Sequence, residues 1–285
     1  RKAQRNLWGY HQSMGLGYFE YFQFCEDIGA EPLPVLAAGV PCQNSACHGD
    51  LRGGQQGGIP MSEMGAYIQD ILDLIEWANG DAKKTKWGKV RAEAGHPKPF
   101  NLKYIGIGNE DLITDIFEER FTMIFNAIKE KYPQIEVVCA LMFSPYIQEA
   151  EKIDILDPHY YETAGWFYNN ADVYDKLPDD IPYKIYVGEY AAIGRPSLYS
   201  SLAEAAYLTG VERNADKVQM VSYAPLIENA AHGKDHLLVL KNDSVYGRTN
   251  YYVLKMFSEN RPDVNLHTDL KPASPEPVFR TNGFI

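Results

Sequence analysis

Short apolar segments alternate along the chain with longer segments in which apolar residues recur every three or four positions. A short apolar run indicates a buried strand, whereas the longer periodic spacing indicates an amphipathic helix. We predict six strands, over 33–38, 103–108, 135–143, 153–156, 183–187 and 218–224. We predict helices over 16–28, 62–79, 117–128, 198–214 and 250–258. This alternation predicts βαβ units and a parallel sheet, either doubly wound or closed into a barrel.

Composition and charge narrow the function classes. The 285 residues carry a net charge of −11, which argues against a nucleic-acid partner because a polyanion is bound through dense cationic contacts. No stretch approaches the roughly 20 uncharged apolar residues of a membrane helix, so we expect a soluble protein without a membrane partner. The chain has 20 tyrosines, whose flat apolar face and polar hydroxyl suit sugars as well as protein cores.

Cofactor and metal patterns are weak. The stretch from Gly106 to Glu110 lacks the third glycine of a dinucleotide-binding fingerprint. The spacing of Cys42, Cys47 and His48 approaches a zinc pattern, but no second ligand pair follows, and His232 with His236 lacks a third ligand. We therefore predict no cofactor and no metal, and treat a flavin or nicotinamide barrel as a weak alternative.

Two glutamates follow predicted strands. Glu110 comes after the second strand and Glu189 after the fifth. The carboxyl ends of parallel barrel strands face the active site, so these side chains can converge although they are far apart in sequence. Glycoside cleavage needs two such carboxyl groups, one to protonate the leaving oxygen and one to attack or to activate water. The alternative, that each forms a surface salt bridge, remains open at this point.

A series of segments carries a family resemblance. The segment 101–110 (NLKYIGIGNE) resembles the acid/base segment of the α-L-arabinofuranosidases of glycoside hydrolase family 51. Further segments resemble the family in chain order, at 7–10 (LWGY), 17–21 (GYFEY), 25–32 (CEDIGAEP), 70–80 (DILDLIEWANG), 186–190 (YVGEY), 204–214 (EAAYLTGVERN) and 222–225 (SYAP). An Asn-Glu pair alone is common among barrel glycosidases, but the ordered series is specific.

The resemblance implies an α/β fold of the (β/α)8 TIM-barrel type that lacks its first two strand units and most of the accessory β-sandwich. We expect a catalytic barrel domain over 1–260 and, over 261–285, a Pro-rich tail or the start of a truncated β-sandwich. Another chain or segment would then complete the barrel. Because the chain starts with Arg1 and not with Met, we expect that any signal peptide or upstream segment is already absent from it. The expected location is extracellular or periplasmic.

The resemblance also implies residue roles in a retaining mechanism. Glu110 is then the general acid/base, Glu189 the nucleophile and Asn109 a substrate contact. The segment from His159 to Tyr161 matches the family's His-x-Tyr segment, so both are candidate site residues, although Tyr161 is equally compatible with a core position. Tyr190 follows Glu189 and is the remaining candidate, since a nearby tyrosine can donate to a carboxylate.

The expected activity is release of terminal arabinofuranosyl groups from hemicellulose or pectin side chains such as arabinoxylan and arabinan, with an arabinose-containing saccharide as partner. An endo-β-glucanase or xylosidase on the same scaffold, or an inactive sugar-binding fragment, is the alternative. The mechanism requires Glu110 to be protonated while Glu189 is ionised, and it predicts carboxyl groups about 5 to 5.5 Å apart.

Overall fold

The computed structural model describes residues 4–5, 11–13, 15–42, 58–141, 153–194, 196–231 and 237–266. Its strands are β1 (Gln4–Arg5), β2 (His11–Gln12), β3 (Val35–Leu36), β4 (Tyr104–Asp111), β5 (Glu136–Leu141), β6 (Ile155–Glu162), β7 (Lys184–Ala192), β8 (Val218–Tyr223), β9 (Ile227–Asn229), β10 (Leu238–Leu240) and β11 (Val245–Gly247). Its helices are α1 (Tyr18–Ile28), α2 (Met61–Asn79), α3 (Lys86–Glu93), α4 (Asp115–Lys131), α5 (Ala164–Asn169), α6 (Leu198–Arg213) and α7 (Thr249–Glu259), with a 3-10 turn at Val173–Lys176.

Six strands form one parallel sheet in the order β3-β4-β5-β6-β7-β8, so each strand pairs with its neighbours in the chain. The predicted parallel α/β arrangement with six strands is therefore confirmed. Within the described residues, β3 and β8 are the edges of this sheet. Small pairings lie outside it: β1 with β2, and β10 with both β9 and β11.

The helices form where apolar spacing and capping residues agree. In α4 the buried residues Phe117, Phe121, Ile124 and Ile128 repeat along one face. The helix begins where the side chain of Thr114 accepts the backbone N–H of Phe117 at 3.5 Å, which satisfies a donor that has no partner within the helix. The buried residues of these helices and of the sheet form a continuous hydrophobic core.

Helix α3 was not predicted, because the segment has no apolar period. Its buried residues are Gly88 and Arg91. The guanidinium of Arg91 donates to the backbone carbonyls of Trp77, Ala78, Gly80, His96 and Pro97. A buried cation that bonds carbonyl groups thus takes the place of an apolar contact face.

Three strands of the sheet are longer than predicted. β4 continues to Asp111, β6 to Glu162 and β7 to Ala192, where polar residues end the apolar runs but the backbone remains paired. The prediction that Glu110 and Glu189 follow their strands is therefore wrong, because both lie within the carboxyl-terminal parts of the strands. The segment from His159 to Tyr161 likewise lies inside β6.

None of the described helices combines the length and apolar composition needed to cross a membrane.

Candidate active site

Two glutamates from different strands meet near the carboxyl ends of the sheet strands. Glu110 of β4 and Glu189 of β7 approach a common histidine, His159 of β6, and one side-chain ligand atom from each of the three residues lies within 4.8 Å of the others. The Glu110 and Glu189 side chains are 12% and 30% exposed, so the pair is largely shielded but reachable. One oxygen of Glu110 and one of Glu189 therefore lie no more than 4.8 Å apart, which is compatible with the short carboxyl separation of a retaining glycosidase.

An irregularity in β4 presents Asn109 and Glu110 together. The register against β5 shifts between Ile107 and Asp111, and Glu110 adopts a left-handed backbone conformation with φ of 52°. The Asp111 carboxylate accepts the backbone N–H of Asn109 at 3.1 Å and fills the space where Gly108 would need a Cβ atom. The bulge is therefore stabilised from within by a buried carboxylate, and a glycine is required next to it.

A second irregularity lies in β7 immediately before Glu189. The backbone N–H of Gly188 donates to Asp157 Oδ1 at 2.6 Å. A Cβ atom on Gly188 would lie 2.4 Å from both oxygens of that carboxylate, so only glycine allows this approach. Glu189 then pairs in register with His159 on β6.

His159 connects three carboxylates. Its Nδ1 lies 2.9 Å from Glu110 Oε1 and 3.6 Å from Glu189 Oε2, while its Nε2 lies 3.3 Å from Asp157 Oδ1. Burial by itself lowers the pKa of His159, but the hydrogen bonds with Asp157 and Glu110 and the charges of Asp157 and Glu189 raise it to about 10. Both ring nitrogens face carboxylate oxygens, an arrangement that favours the doubly protonated imidazole, which can donate on both sides.

Tyr161 contacts Glu189 directly. Its hydroxyl donates to Glu189 Oε2 at 2.5 Å, which is short, as expected of a hydrogen bond to a charged acceptor. The pKa of Glu189 is raised above its ordinary value, mainly by burial. The charge of His159 and the Tyr161 hydrogen bond oppose this rise, whereas the charges of Glu110 and Asp157 add to it. Burial and the adjacent Glu189 also raise the pKa of Tyr161, so this hydroxyl remains a donor at neutral pH.

Asn109 faces a residue that the sequence analysis did not select. Its side-chain N–H donates to Cys42 Sγ at 3.1 Å. Burial raises the pKa of Cys42, and the charges of Glu110, Asp111 and Glu189 raise it further, so the thiol is neutral. The sequence analysis considered Cys42 only as a metal ligand together with Cys47 and His48. Cys47 and His48 lie outside the described residues, and so do His232 and His236.

Tyr190 is not brought to the carboxylates. Adjacent strand residues point to opposite faces, so Tyr190 lies on the other side of β7 from Glu189. Its ring is 1% exposed and packs against Phe167, Tyr207 and Tyr223. Tyr190 was a candidate because a nearby tyrosine can donate to a carboxylate, but this structure places its ring in the core and not beside Glu189.

Asp157 is a further site residue that the sequence analysis missed. It lies two positions before His159 on β6 and therefore points to the same face. It was overlooked because the predicted strand ended at Leu156, so that the alternation of side chains was not followed through to His159.

The spacing of Glu110, His159 and Glu189 also matches that of groups able to hold a cation. A metal at this place would compete for His159 Nδ1 with the hydrogen bond to Glu110. That the site holds no metal stays a prediction.

Family models match the chain over most of its length. Residues 1–179 match the model described as "Alpha-L-arabinofuranosidase 1 domain", and residues 173–282 match "Alpha-L-arabinofuranosidase C-terminal domain". The two matches meet between β6 and β7, which are neighbours in one sheet. Glu110 and His159 thus come from the first matched region and Glu189 from the second. The predicted division at residue 260 stays a prediction.

Curated relatives show the same similarity. The chain is 42% identical over 275 residues to an "Extracellular exo-alpha-L-arabinofuranosidase" of Streptomyces chartreusis, covering 92% of this chain and 32% of the relative. It is 35% identical to "Alpha-L-arabinofuranosidase 2" of Arabidopsis thaliana, covering 98% of this chain and 40% of the relative. The chain therefore spans about a third to two fifths of the length of these relatives.

Solved structures share the fold. An arabinose-bound GH51 α-L-arabinofuranosidase is 31% identical with a TM-score of 0.78, covering 92% of this chain and 42% of that one. The arabinose complex of the Thermotoga maritima α-L-arabinofuranosidase matches at 19% identity and a TM-score of 0.67, covering 90% of this chain and 55% of that one, which shows the fold alone. The six-stranded sheet corresponds to part of a (β/α)8 barrel, as predicted.

Proposed function

Because the chain belongs to the α-L-arabinofuranosidases of glycoside hydrolase family 51, we propose that it carries the catalytic pair of a retaining exo-acting α-L-arabinofuranosidase. The observation that carries the proposal is the approach of the Glu110 and Glu189 carboxylates to within 4.8 Å, on β4 and β7 of one parallel sheet. The proposed substrates are arabinose-containing oligo- or polysaccharides. The proposed location is extracellular, on the similarity to an extracellular relative.

In the first step, Glu189 attacks the anomeric carbon while Glu110 gives its proton to the departing glycosidic oxygen. The bond from the anomeric carbon to that oxygen breaks as the bond to a Glu189 oxygen forms. Tyr161 holds Glu189 Oε2 and therefore fixes the orientation of the carboxylate. Asn109 lies beside Glu110, where its amide can bond a sugar hydroxyl next to the reacting carbon as positive charge develops.

In the second step, Glu110 has lost its proton and acts as a base. It takes a proton from water, whose oxygen attacks the anomeric carbon and releases the Glu189 carboxylate. A doubly protonated His159 would donate from Nδ1 to Glu110 Oε1, which lies 2.9 Å away. The oxygen Oε2 is then the one that carries the transferable proton. That the pKa of Glu110 lies above that of Glu189 in the free enzyme stays a prediction.

The decisive experiment is to trap the covalent intermediate. The chain is incubated with a 2-deoxy-2-fluoro-arabinofuranoside bearing a good leaving group, and peptides are analysed by mass spectrometry. We expect one sugar on the peptide that contains Glu189, and none in Glu189→Gln. An adduct on another carboxylate would reject the assignment of the nucleophile.

The role of Glu110 is tested by Glu110→Ala with an aryl arabinofuranoside, whose leaving group needs little protonation. We expect turnover to fall sharply and azide, which needs no base, to restore it with formation of the α-azide. Failure of azide to restore turnover, with the fold intact, would contradict the acid/base assignment.

A panel of aryl furanosides and pyranosides separates the alternatives. Hydrolysis of pyranosides alone would favour a glucanase or xylosidase. Binding of arabinan without turnover by the wild-type chain would favour a sugar-binding fragment, an alternative raised by the partial coverage of its relatives.

A further inference from the structure

We propose that Asp157 is a positioning residue that organises both catalytic carboxylates at once, Glu189 through the backbone of Gly188 and Glu110 through the ring of His159. This inference rests on the proposed function, because it assigns a task within that same site. Asp157 is joined to these carboxylates through two neighbours, the backbone N–H of Gly188 and the Nε2 atom of His159.

The first connection is to the backbone of β7. Asp157 is buried and accepts the N–H of Gly188 at 2.6 Å, at the place where the register between β6 and β7 shifts. This bond holds the residue before Glu189 away from regular strand geometry. Since the backbone at Gly188 sets the direction of the next side chain, Asp157 determines where the Glu189 carboxylate lies.

The second connection is to the ring of His159. Asp157 Oδ1 lies 3.3 Å from Nε2, and the other ring nitrogen lies 2.9 Å from Glu110 Oε1, within hydrogen-bond distance. A carboxylate at Nε2 keeps a hydrogen there and, by its charge, keeps the second hydrogen on Nδ1 as well. Glu110 Oε1 is therefore always offered a donor, and only Oε2 is left to carry the proton for the leaving group.

The groups around this pair support a charged imidazole. His159 is faced by Glu110 from β4 and Glu189 from β7, while Asp157 lies on its own strand. Among the described residues, three further titratable groups lie close enough to be affected by the charge of Asp157, and their raised pKa values keep them neutral near pH 7: Cys139 of β5, Tyr186 of β7 and Tyr174 of the 3-10 turn. Burial raises the pKa of Asp157, and the His159 hydrogen bond and charge oppose that rise.

The nearly isosteric variant Asp157→Asn separates charge from shape. Its amide oxygen can still accept the Gly188 N–H, but the negative charge at Nε2 is lost. The matched control is Asp154→Asn at the amino end of β6. Asp154 also accepts a backbone N–H, that of Val137 at 2.8 Å, and also binds a cation, Lys129 at 2.6 Å.

The first measurement needs no activity. Nitrogen-15 NMR of the full chain, with the His159 signals identified by their loss in His159→Gln, reports the hydrogens on both ring nitrogens. We expect a doubly protonated ring at pH 7 in wild type and Asp154→Asn, and a ring that loses one hydrogen between pH 6 and 8 in Asp157→Asn. A wild-type ring that titrates in that range would overturn the proposal.

The second measurement is the pH profile of kcat/KM. Where the ring of Asp157→Asn has lost its second hydrogen, the cation 2.9 Å from Glu110 is gone, so the basic limb of the profile should move to higher pH. The acidic limb should not move to higher pH, because loss of the Asp157 charge removes a cause that raises the pKa of Glu189. Asp154→Asn should keep the wild-type profile. Because proton delivery is impaired, kcat should fall about tenfold or more for poor leaving groups and much less for nitrophenyl arabinofuranoside. KM should change little.

The outcomes distinguish this inference from the function on which it rests. An active wild type with an unchanged profile in Asp157→Asn would overturn the inference and leave the function intact. A wild type that turns over no furanoside would refute the function, and the NMR result would still decide whether Asp157 holds His159 as a cation. A double variant Asp157→Asn with His159→Gln should lose no more than His159→Gln alone, since both act in series.

Discussion

Glu204 of α6 should make the stability of the fold depend on pH between 5 and 8. The side chain is 1% exposed, and its two oxygens accept hydrogen bonds from the backbone N–H of Ala192 at 2.7 Å and from the side chain of Asn250 at 2.5 Å. Burial raises the pKa of Glu204 to about 7, although these bonds oppose the rise. A buried carboxyl thus joins α6, α7 and the end of the strand that bears Glu189.

The sign of the effect follows from proton binding. The folded state holds a proton on Glu204 up to about pH 7, whereas the unfolded chain releases it near 4.5, the ordinary pKa of a glutamate side chain. The group therefore contributes stability that is fully present below pH 4.5 and is lost as pH rises through 7. A difference of about 2.5 pKa units corresponds to roughly 3 kcal/mol, of which roughly 2–3 kcal/mol disappears between pH 5 and 8.

The test compares wild type with Glu204→Gln by urea unfolding at several pH values. The neutral amide does not titrate, so the stability of the variant relative to wild type should rise by roughly 2–3 kcal/mol from pH 5 to pH 8. Glu259→Gln, which removes an exposed carboxylate at the end of α7, is the control and should show no such trend. A constant difference between wild type and Glu204→Gln over this range would refute the reasoning.

Two further predictions concern the site. Tyr161→Phe removes the hydrogen-bond donor to Glu189, so kcat/KM should fall about tenfold or more. The acidic limb of the pH–rate profile should move to higher pH, because the pKa of Glu189 rises when this donor is lost. An unchanged acidic limb would contradict this reasoning. Gly188→Ala places a Cβ atom 2.4 Å from the Asp157 carboxylate, so activity and melting temperature should both drop. The control Gly65→Ala has open space within α2 and should stabilise by about 0.5–1 kcal/mol; equal melting temperatures for the two variants would argue against the close approach.

Helices α2 and α4 were predictable because each buries an apolar stripe. The spacing of Phe117, Phe121, Ile124 and Ile128 located α4, and the left-handed Gly29 ends α1 where the apolar pattern stops. Helix α3 was not predicted because its buried side chain is that of Arg91, which bonds backbone carbonyl groups and contributes nothing to an apolar pattern. The periodicity of apolar residues detects helices that bury an apolar face, and α3 does not bury one.

The carboxyl-terminal parts of β4, β6 and β7 were not predicted, for a different reason. In β6 the residues after Leu156 include Asp157 and His159, which are buried although they are polar. A buried polar pair interrupts the hydrophobic run that marks a strand, so the predicted strand stopped short of the residues that form the site. Local pattern rules fail where side chains are selected for chemistry rather than for packing. The contact of Asn109 with Cys42 is a tertiary one, which no local pattern contains.

The position of the two glutamates in the sheet determines whether a chain that spans part of its relatives' length can keep the geometry of the carboxylate pair. Glu110 lies on β4, which pairs with β3 and β5, and Glu189 lies on β7, which pairs with β6 and β8. Both strands are interior, and the residues that hold their bulges, Asp111 and Asp157, belong to the same four-strand region. The distance between the carboxylates is thus set by bonds within this chain, whereas the sheet edges are formed by other strands. We therefore expect the additional length of the relatives to affect substrate contacts and edge protection more than the geometry of the pair.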